Sequence, residues 1–212
     1  MEKLEGKSLN SIYNELNEEE KAGIQQQIGR YSAMLNQLEG ERFGYYGQPD
    51  KQGENWFHVF KSMIDDTVYD AERKNVDLRI SVEELHDLLG RDRRYFEEVV
   101  TPKFVHWDLW LGNIFVKNNR ITGLIDFERC MWADVLMEVG FRTHDCDKSF
   151  LEGYGICELS KNQKIRAKWY DIYLFLIISL ESDYRNYETR DPYFWATDRL
   201  IQRLSEVQDE KF

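Results

Sequence analysis

Three residues near the middle of the chain have the types and the spacing needed for phosphoryl transfer. Asp108 is followed five residues later by Asn113, and Asp126 comes thirteen residues after Asn113. Phosphoryl transfer needs a carboxylate beside the attacking hydroxyl, and oxygen ligands for the Mg²⁺ that bridges the phosphates. An Asp serving as the base, with a metal-binding Asn five residues on, is a known arrangement for this chemistry. We therefore predict Asp108 as the catalytic base, and Asn113 and Asp126 as Mg²⁺ ligands.

The segment between the two predicted metal ligands is typical of a β-hairpin. Two runs of β-favouring residues flank the pair Asn118 and Asn119. Asn tolerates the positive φ angles of a tight hairpin turn. A hairpin would bring Asp126 back beside Asn113, so that one oxygen ligand comes from each strand end. The sequence therefore predicts a site for a hard cation at the open end of this hairpin.

Residues 104–139 resemble the aminoglycoside phosphotransferase and choline or fructosamine kinase-like superfamily. The family pattern H-G-D-L-x-x-x-N corresponds to residues 106–113, and its hydrophobic-I-D-[FWL]-[EG] hairpin to residues 125–128. A segment similar to G-D-P-x-x-D-L-A follows at residues 132–138. Weaker matches at residues 1–9 and 35–45 extend the resemblance to about residues 1–185, in the order of the family's C-terminal lobe.

The resemblance implies an ATP-dependent phosphotransferase that acts on the hydroxyl of a small molecule, with ATP as co-substrate and Mg²⁺ as cofactor. It implies an α+β, predominantly α-helical fold: the C-terminal lobe of a protein-kinase-like fold with a small catalytic β-hairpin. We expect residues 1–9 to form a hinge-like strand. Residues 10–212 are expected to form the helical lobe, with the catalytic loop and metal-binding hairpin at residues 104–128.

The sequence departs from the family pattern at three places. Trp107 stands where the family most often has Gly, at a variable position. Glu138 replaces an Asp that often braces the catalytic loop, so its bracing role does not follow from the resemblance. Asn36 replaces a common His, and nothing is inferred from it. The resemblance implies that His106 orients the loop and does not touch phosphate.

The substrate is expected to lie near acidic and aromatic groups of this lobe. Glu128, Asp134 and Trp107 are candidate contacts, and residues 142–147 are either a further contact or a solvated loop. The net charge of -11 suits a cationic substrate. Acidity that only favours solubility explains the charge equally well. Aminoglycosides, other antibiotics, amino alcohols and sugar derivatives all remain open as substrates.

Composition indicates one globular domain or one large lobe of 212 residues. The three cysteines are odd in number and lack C-x-x-C spacing, and no signal peptide is recognised, so a reduced cytoplasmic protein is expected. The longest apolar run, residues 172–178, is far shorter than a membrane span. The negative charge disfavours nucleic acid as a partner.

The remaining pattern is mostly helical. Asn17 is predicted to cap a helix that ends at Gly40, and Ser81 to cap a helix through a capping box. The first of these helices is expected to present one apolar face made of Ile24, Ile28, Tyr31, Leu35 and Leu38. Further predicted elements are a loop at 41–55, a strand at 104–105 and helices at 56–71, 147–158, 161–183 and 193–208.

The residues that would cover the ATP phosphates are not recognisable in this sequence. Kinases of this type use a glycine-rich loop and a Lys–Glu pair in a β-rich N-terminal lobe. The chain has no G-x-G-x-x-G, and residues 10–100 are predicted mainly as helices. We therefore expect the C-terminal lobe alone, with the N-terminal ATP-binding lobe absent, weak nucleotide binding, little turnover, and self-association through an exposed hinge surface.

Other classes of function remain open. One alternative is a non-catalytic kinase-like binding module or a natural truncated remnant. The intact Asp108, Asn113 and Asp126 disfavour it, because a structural role does not require all three. A metal-dependent hydrolase is another alternative, although the sequence lacks the additional His or Asp clusters that such sites gather.

Overall fold

The structure, a computed structural model, describes residues 4–144, 146–185 and 187–210. Tertiary contacts divide the chain into two compact units, each assembled from two separate stretches. Unit 1 comprises Met1–Glu54 and Thr101–Ser160, and unit 2 comprises Asn55–Val100 and Lys161–Phe212. Residues 10–212, predicted to form one helical lobe, thus extend over both units, and their assignment to a single lobe stays a prediction.

The α-helices have the following bounds: α1 Leu9–Ile12, α2 Glu18–Leu35, α3 Trp56–Lys74, α4 Val82–Phe96, α5 Lys148–Tyr154, α6 Lys161–Tyr184 and α7 Asp191–Gln208. The strands are β1 Lys7–Ser8, β2 Gly44–Tyr45, β3 Lys103–Val105, β4 Ile114–Lys117, β5 Arg120–Leu124 and β6 Met131–Ala133. The predicted fold class, α+β and predominantly α-helical, is confirmed.

Two small antiparallel sheets lie in unit 1. One has the strand order β1-β4-β5 and the other β2-β6-β3. The second sheet includes β2, which lies inside the stretch predicted as a loop at residues 41–55. That prediction was wrong for Gly44 and Tyr45, because two residues are too few to leave a period-2 pattern in the sequence. The strand expected at residues 104–105 is present as β3.

The hinge-like strand expected at residues 1–9 is described only in part. Residues 1–3 lie outside the described residues. Lys7 and Ser8 form β1, which pairs with β4, and the chain enters α1 at Leu9. The strand is therefore shorter than expected, and its role as a hinge stays a prediction.

The predicted β-hairpin is present as β4 and β5, and its catalytic role stays a prediction. Ile114 pairs with Leu124, and Lys117 pairs with Arg120 at the turn. Asn118 and Asn119 occupy the turn with φ angles of 51° and 60°. Positive φ at both central residues is the geometry that the twist of an antiparallel pair favours, and Asn is among the residues that adopt it at low cost.

Asn17 caps α2, as predicted, and forms a capping box with Glu20. Its Oδ1 accepts a hydrogen bond from the Glu20 backbone N–H at 3.0 Å, and its own N–H donates to Glu20 Oε2 at 3.0 Å. Two otherwise unpaired donors at the helix start are thereby satisfied. The cap fixes where α2 begins, and α2 in turn packs beside the catalytic hairpin and α5.

We expect Asn17→Ala to lower the free energy of unfolding by about 1 kcal/mol, because it removes the Oδ1 that accepts the hydrogen bond from the Glu20 backbone N–H. Urea titration followed by circular dichroism measures this loss. Glu19→Ala is the matched control in the same exposed first turn, since no capping hydrogen bond involves the Glu19 side chain. An equal loss in the two variants would contradict the capping role.

The apolar face predicted for α2 is correct only in its first half. Ile24 and Ile28 are buried, but Tyr31 is 38% exposed and Leu38 is 54% exposed. The helix ends at Leu35, not at Gly40. Leu38 therefore lies in the turn beyond the helix and does not continue its buried face.

Two glycines let α2 and α5 approach closely. A Cβ atom on Gly29 would lie 2.2 Å from the Phe150 carbonyl oxygen, and one on Gly153 would lie 2.1 Å from the Gln26 carbonyl oxygen. Both distances are impossible for real atoms, so any side chain at either position would separate the two helices. This contact explains why the buried side of α2 turns towards Gly29 and Ser32 and leaves Tyr31 exposed.

Unit 2 consists of α3, α4, α6 and α7 and has an aromatic core. The Phe60 and Phe96 rings stack with centroids 5.3 Å apart, and Tyr170 packs edge-on against Phe60 at 5.2 Å. Trp56 Nε1 donates to the Tyr170 hydroxyl at 2.8 Å, which satisfies both polar groups inside the core.

The helices predicted for unit 2 are confirmed, with ends that shift by a few residues. Ser81 caps α4 by accepting a hydrogen bond from the Glu84 N–H at 3.1 Å. Among the described residues, no helix combines the length and the apolar composition that crossing a membrane requires.

Candidate active site

The hairpin brings the three predicted catalytic and metal-binding residues together. The Ile125 N–H donates to the Asn113 carbonyl oxygen at 3.0 Å, which places Asp126 directly after the residue paired with Asn113. The Asn113 side-chain Nδ2 donates to the Asp108 carbonyl oxygen at 2.9 Å. Because the amide nitrogen is engaged in this way, its Oδ1 remains available as an acceptor or a metal ligand.

Asp108 lies in the catalytic loop with its carboxyl partly buried. Burial raises the pKa of Asp108 above its usual value. The positive charges of Arg129 and Arg142 oppose that rise in pKa, and the negative charge of Asp126 adds to it. A carboxylate with a raised pKa is a better proton acceptor, which suits a general base.

Asp126 is held in a left-handed backbone conformation, with φ 65° and ψ 61°. Asp is one of the few residues other than Gly that adopts this region readily. Its side chain is exposed, and no hydrogen bond to it is recorded within the described part of the chain. An exposed carboxylate beside an available amide oxygen offers the hard oxygen ligands that Mg²⁺ prefers, so these two residues fit the ion.

The residues near the site do not form a cage made of protein ligands alone. Among residues 4–144, 146–185 and 187–210, no group of three or more His, Cys, Asp or Glu side chains is placed to hold a metal ion. Mg²⁺ commonly binds through one or two protein oxygens and completes its shell with water and phosphate oxygens. A pair formed by Asn113 and Asp126 is consistent with that mode.

His106 connects the catalytic loop to the residue before Asp126. Its ring is fully buried, and Nε2 lies 3.0 Å from the Ile125 carbonyl oxygen. Since a carbonyl only accepts, Nε2 carries the proton. Burial lowers the pKa of His106, which favours the neutral ring. The ring also contacts Phe127 with centroids 4.4 Å apart. This geometry is that of a residue that supports the loop.

Glu138 holds the catalytic loop through its backbone. The buried carboxylate accepts hydrogen bonds from the His106 N–H at 3.0 Å and the Trp107 N–H at 3.4 Å. Burial, only partly offset by these hydrogen bonds, raises the pKa of Glu138 to about 7. The sequence left open whether Glu138, in place of an Asp, braces the catalytic loop. The structure shows that it does.

Asn36 and Tyr154 complete the support of Glu138, and neither has a role that was predicted from the sequence. Asn36 Nδ2 donates to Glu138 Oε1 at 3.3 Å and to the Phe104 carbonyl oxygen at 2.7 Å. The Tyr154 hydroxyl donates to Asn36 Oδ1 at 2.7 Å. Asn36 stands where the family often has His, and that substitution was the one sequence signal of this network.

Trp107 adopts a backbone conformation that glycine adopts without strain. Its φ is 65°, a conformation that costs a residue with a Cβ about 1–2 kcal/mol. The side chain is 2% exposed, and its ring packs edge-on against Tyr45. Arg129 lies over the ring, and Arg142 Nη2 donates to the Trp107 carbonyl oxygen at 2.9 Å. Burial of a large aromatic ring more than offsets the backbone cost.

The candidate substrate contacts occupy different environments. Glu128 is exposed after Asp126. Asp134 is 5% exposed, and its Oδ1 accepts a hydrogen bond from the Leu136 N–H at 3.2 Å. These positions favour a supporting role for Asp134 and for the buried Trp107, and contact with a substrate stays a prediction for all three. In the segment 142–147, Asp145 lies outside the described residues.

Comparison with known proteins supports the fold seen here. The apo form of a thermostable mutant of aminoglycoside phosphotransferase APH(4)-Ia aligns with a TM-score of 0.68 and 19% identity, over 99% of this chain and 72% of that chain. A putative fructosamine-3-kinase from Haemophilus somnus 129PT aligns with a TM-score of 0.66 and 16% identity, over 89% of this chain and 65% of that chain.

A third solved structure, the complex of APH(2")-IIa with gentamicin, aligns with a TM-score of 0.57 and 18% identity, over 100% of this chain and 69% of that chain. No curated protein sequence matches the chain. The family model described as the phosphotransferase enzyme family matches residues 1–155, which is more than half of the 212 residues. On this match, the chain belongs to the phosphotransferase enzyme family.

Proposed function

We propose that this protein transfers the γ-phosphoryl group of ATP to a hydroxyl group of a small molecule. The observation that carries the proposal is the placement of Asp108, Asn113 and Asp126 at one end of the β4–β5 hairpin. Phosphoryl transfer depends mainly on positioning and on stabilisation of charge, and these residue types supply both.

Each residue has a distinct role in the proposed reaction. Asp108 orients the substrate hydroxyl and accepts its proton. Asn113 Oδ1 and the Asp126 carboxylate would hold Mg²⁺, which when bound neutralises charge on the phosphates. His106 and Glu138 do not contact the reacting atoms; they hold the loop that carries Asp108.

We infer that the 212-residue chain by itself binds nucleotide weakly and turns over slowly. Positioning of the phosphates in kinases uses a glycine-rich loop and a Lys paired with a Glu. The sequence has no G-x-G-x-x-G. Tight binding of Mg·ATP to the isolated chain, measured by calorimetry, would contradict this inference.

The substrate class follows from charge and from the relatives. Complexes of family relatives contain hygromycin B, gentamicin or streptomycin, and each was determined for the relative and not for this chain. The net charge of -11 favours a cationic molecule with a hydroxyl group. Phosphoryl transfer to a panel of aminoglycosides and amino alcohols is measured at several salt concentrations. A preference for cationic molecules that weakens as salt increases would show that charge drives the preference. A cytoplasmic location and self-association remain proposals of the same kind.

Metal binding offers a test that does not need turnover. We expect Asp126→Asn to weaken binding of Mn²⁺ to the chain, measured without ATP, at least about tenfold, because a charged oxygen ligand becomes neutral. Asn adopts the left-handed region as readily as Asp, so the backbone at φ 65° is retained. Free Mn²⁺ is measured by its electron paramagnetic resonance signal.

The control for this experiment is Asp50→Asn, which removes an exposed carboxylate outside the catalytic loop and hairpin. Its Mn²⁺ affinity should match that of the unmodified protein. Equal losses in the two variants would mean that net charge, and not a ligand at residue 126, governs the affinity. A binding module without catalysis would show the metal effect but no transfer to any hydroxyl in the panel.

A further inference from the structure

A groove on the surface of unit 1 lies between α2 and the turn of the β4–β5 hairpin. We call it the turn groove. Its volume is about 600 Å³, and its lining residues are Gln27, Arg30, Tyr31, Met34 and residues 118–120. Met34 is 61% exposed and Tyr31 is 38% exposed, so the groove is open to solvent. An open groove covers little of a small molecule, whereas an extended peptide can follow it and continue past its ends.

Hydrogen bonds hold the two walls of the turn groove together. Gln27 Nε2 donates to the Asn119 carbonyl oxygen at 2.8 Å, and Gln27 Oε1 accepts from the Ile121 N–H at 3.1 Å. Asn119 Nδ2 donates to Glu20 Oε1 at 2.8 Å. The groove is therefore formed before a partner binds, and binding does not include the entropic cost of ordering its walls.

Two arginine side chains in the turn groove have no acidic partner. Arg30 and Arg120 are exposed, and within the described part of the chain neither side chain forms an ion pair or a hydrogen bond. Glu20 reaches the turn, but its Oε1 accepts from Asn119 and its Oε2 from the Asn17 N–H. The chain has 39 acidic and 28 basic residues, so carboxylates are plentiful. The groove is thus a local positive site on a negatively charged protein.

The turn groove also has an apolar part. Met34 follows Arg30 by four residues on α2, so the two side chains lie on the same face of the helix. The half-exposed Tyr31 ring adds aromatic surface, and the thioether of Met34 makes favourable contacts with aromatic rings. A guanidinium group binds a carboxylate through two parallel hydrogen bonds. The groove therefore matches a chain in which apolar side chains stand beside carboxylates.

We propose that the turn groove is a docking site for an acidic linear peptide segment of a partner protein. Carboxylates of the segment bind Arg30 and Arg120, and an apolar side chain packs on Tyr31 and Met34. Complementary charge selects this occupant over a basic or neutral segment. A nucleic acid fits less well, because the net charge of -11 repels its continuous phosphate charge. A short peptide keeps its charges within about one Debye length of the arginines, ~8 Å at physiological salt.

The test uses the 212-residue chain and the unlabelled peptide Gly-Glu-Glu-Leu-Phe-Glu-Glu-Gly. Two-dimensional ¹H–¹⁵N spectra are recorded during titration at neutral pH. We expect a Kd on the order of 100 µM that rises as salt is added. The shifted signals should include the backbone amides of Tyr31, Met34 and Asn118. A peptide with Gln in place of each Glu, and one with Ala in place of Leu and Phe, should each bind at least about tenfold more weakly.

Variants of the groove residues make the result specific. Arg30→Gln and Arg120→Gln should each raise the Kd at least about threefold, and the double variant at least about tenfold. Both side chains are exposed, so the fold should be retained. Met34→Gln, which changes no charge, should also raise the Kd at least about threefold. Arg73→Gln is the matched control, because it removes the same charge from an exposed position of α3 in unit 2. Its Kd should be unchanged.

Three results would contradict the charge and apolar contacts of the turn groove. They are the absence of shifts at its amides, equal affinity for the Gln-containing peptide, and a loss of affinity in Arg73→Gln equal to that in Arg30→Gln. An unchanged Kd in Met34→Gln would reject the apolar contact. The titration contains no ATP, so its outcome is independent of phosphoryl transfer.

The other occupants are tested with the double variant Arg30→Gln/Arg120→Gln. Sedimentation velocity should give the same mass for this variant and for the unmodified chain. A dimer that dissociates in the double variant would assign the turn groove to a second copy of this chain. A single-stranded oligothymidylate that binds more tightly than the peptide, and is lost in the same variant, would assign the groove to nucleic acid. Either result would overturn the proposed peptide site.

Discussion

Replacement of Asp108 by Ala should abolish phosphoryl transfer while nucleotide binding stays within about twofold of the unmodified protein. The carboxylate acts on the substrate hydroxyl, whereas the metal ligands Asn113 and Asp126 remain in place. Loss of a positioned general base removes about 10²–10⁴-fold in rate. Asp108→Asn, which keeps the size and shape of the side chain, should show a loss of the same order.

A single-turnover assay measures transfer by the isolated chain even when its turnover is slow. Protein in excess over radiolabelled ATP allows transfer to be followed over hours, and calorimetry reports nucleotide affinity separately. Asp50→Ala, at an exposed carboxylate outside the site, serves as the control and should retain the full rate. Undiminished transfer in Asp108→Ala would remove Asp108 from the reaction. A rate lost together with ATP affinity would indicate a structural role instead.

The pH dependence of the rate provides an independent check on Asp108. Its pKa is raised by burial, so the ionised form that accepts a proton disappears at a higher pH than for an ordinary Asp. The rate should therefore fall as the pH is lowered through this raised pKa.

Replacement of Glu138 by Ala should destabilise unit 1 by about 3–5 kcal/mol. The substitution leaves three donors without their acceptor in a buried place: the backbone N–H groups of His106 and Trp107, and Asn36 Nδ2. Each unsatisfied buried donor costs about 1–3 kcal/mol. Urea titration measures the loss. The catalytic loop should show the largest increase in amide hydrogen exchange, because Glu138 bonds directly to its backbone.

The same carboxyl makes stability depend on pH in a defined direction. The pKa of Glu138 is raised from 4.5 to about 7 in the folded protein, so the folded state binds this proton more tightly than the unfolded state. Its contribution to stability therefore falls as pH rises between 4.5 and about 7, with a slope of at most about 1.4 kcal/mol per pH unit. Arg142, Asn36 and Tyr154 are the other polar or charged groups beside it.

Glu138→Gln separates the two effects. Gln keeps an acceptor oxygen of similar position but carries no proton that titrates in this range. We expect Gln to remove the fall in stability between pH 4.5 and about 7 and to lose less stability than Ala. An unchanged pH profile in Glu138→Gln would mean that another group dominates the titration. A loss as large as that in Ala would indicate that the amide N–H₂ is not tolerated in this pocket.

Local chemistry was the part of the structure that the sequence predicted best. The pair Asn118 and Asn119 indicated a tight turn, and the turn fixes the register of the hairpin that carries Asp126. Asn17, followed by three acidic residues, indicated the start of α2 as its N-cap. In these cases a few adjacent residues determine the conformation through their own φ preferences and hydrogen bonds.

Features that depend on distant contacts were missed. Tyr31 fits the apolar period of α2 but is exposed, because the contact with α5 through Gly29 rotates the buried side. The bracing of the loop by Glu138 joins residues more than thirty positions apart and depends on burial that periodicity does not reveal. The turn groove gave no sequence signal, since Arg30 and Arg120 are far apart in the chain and only the fold brings them to one surface.

The construction of unit 2 from two separated stretches has a consequence for synthesis on the ribosome. Residues 55–100 are made first, yet their partners α6 and α7 begin only at residue 161. At the usual elongation rates of about 5–20 residues per second, α3 and α4 wait on the order of ten seconds for these helices. During that interval the apolar surface around Phe60 and Phe96 has no permanent cover, so the nascent chain depends on chaperones or on rapid elongation to avoid aggregation.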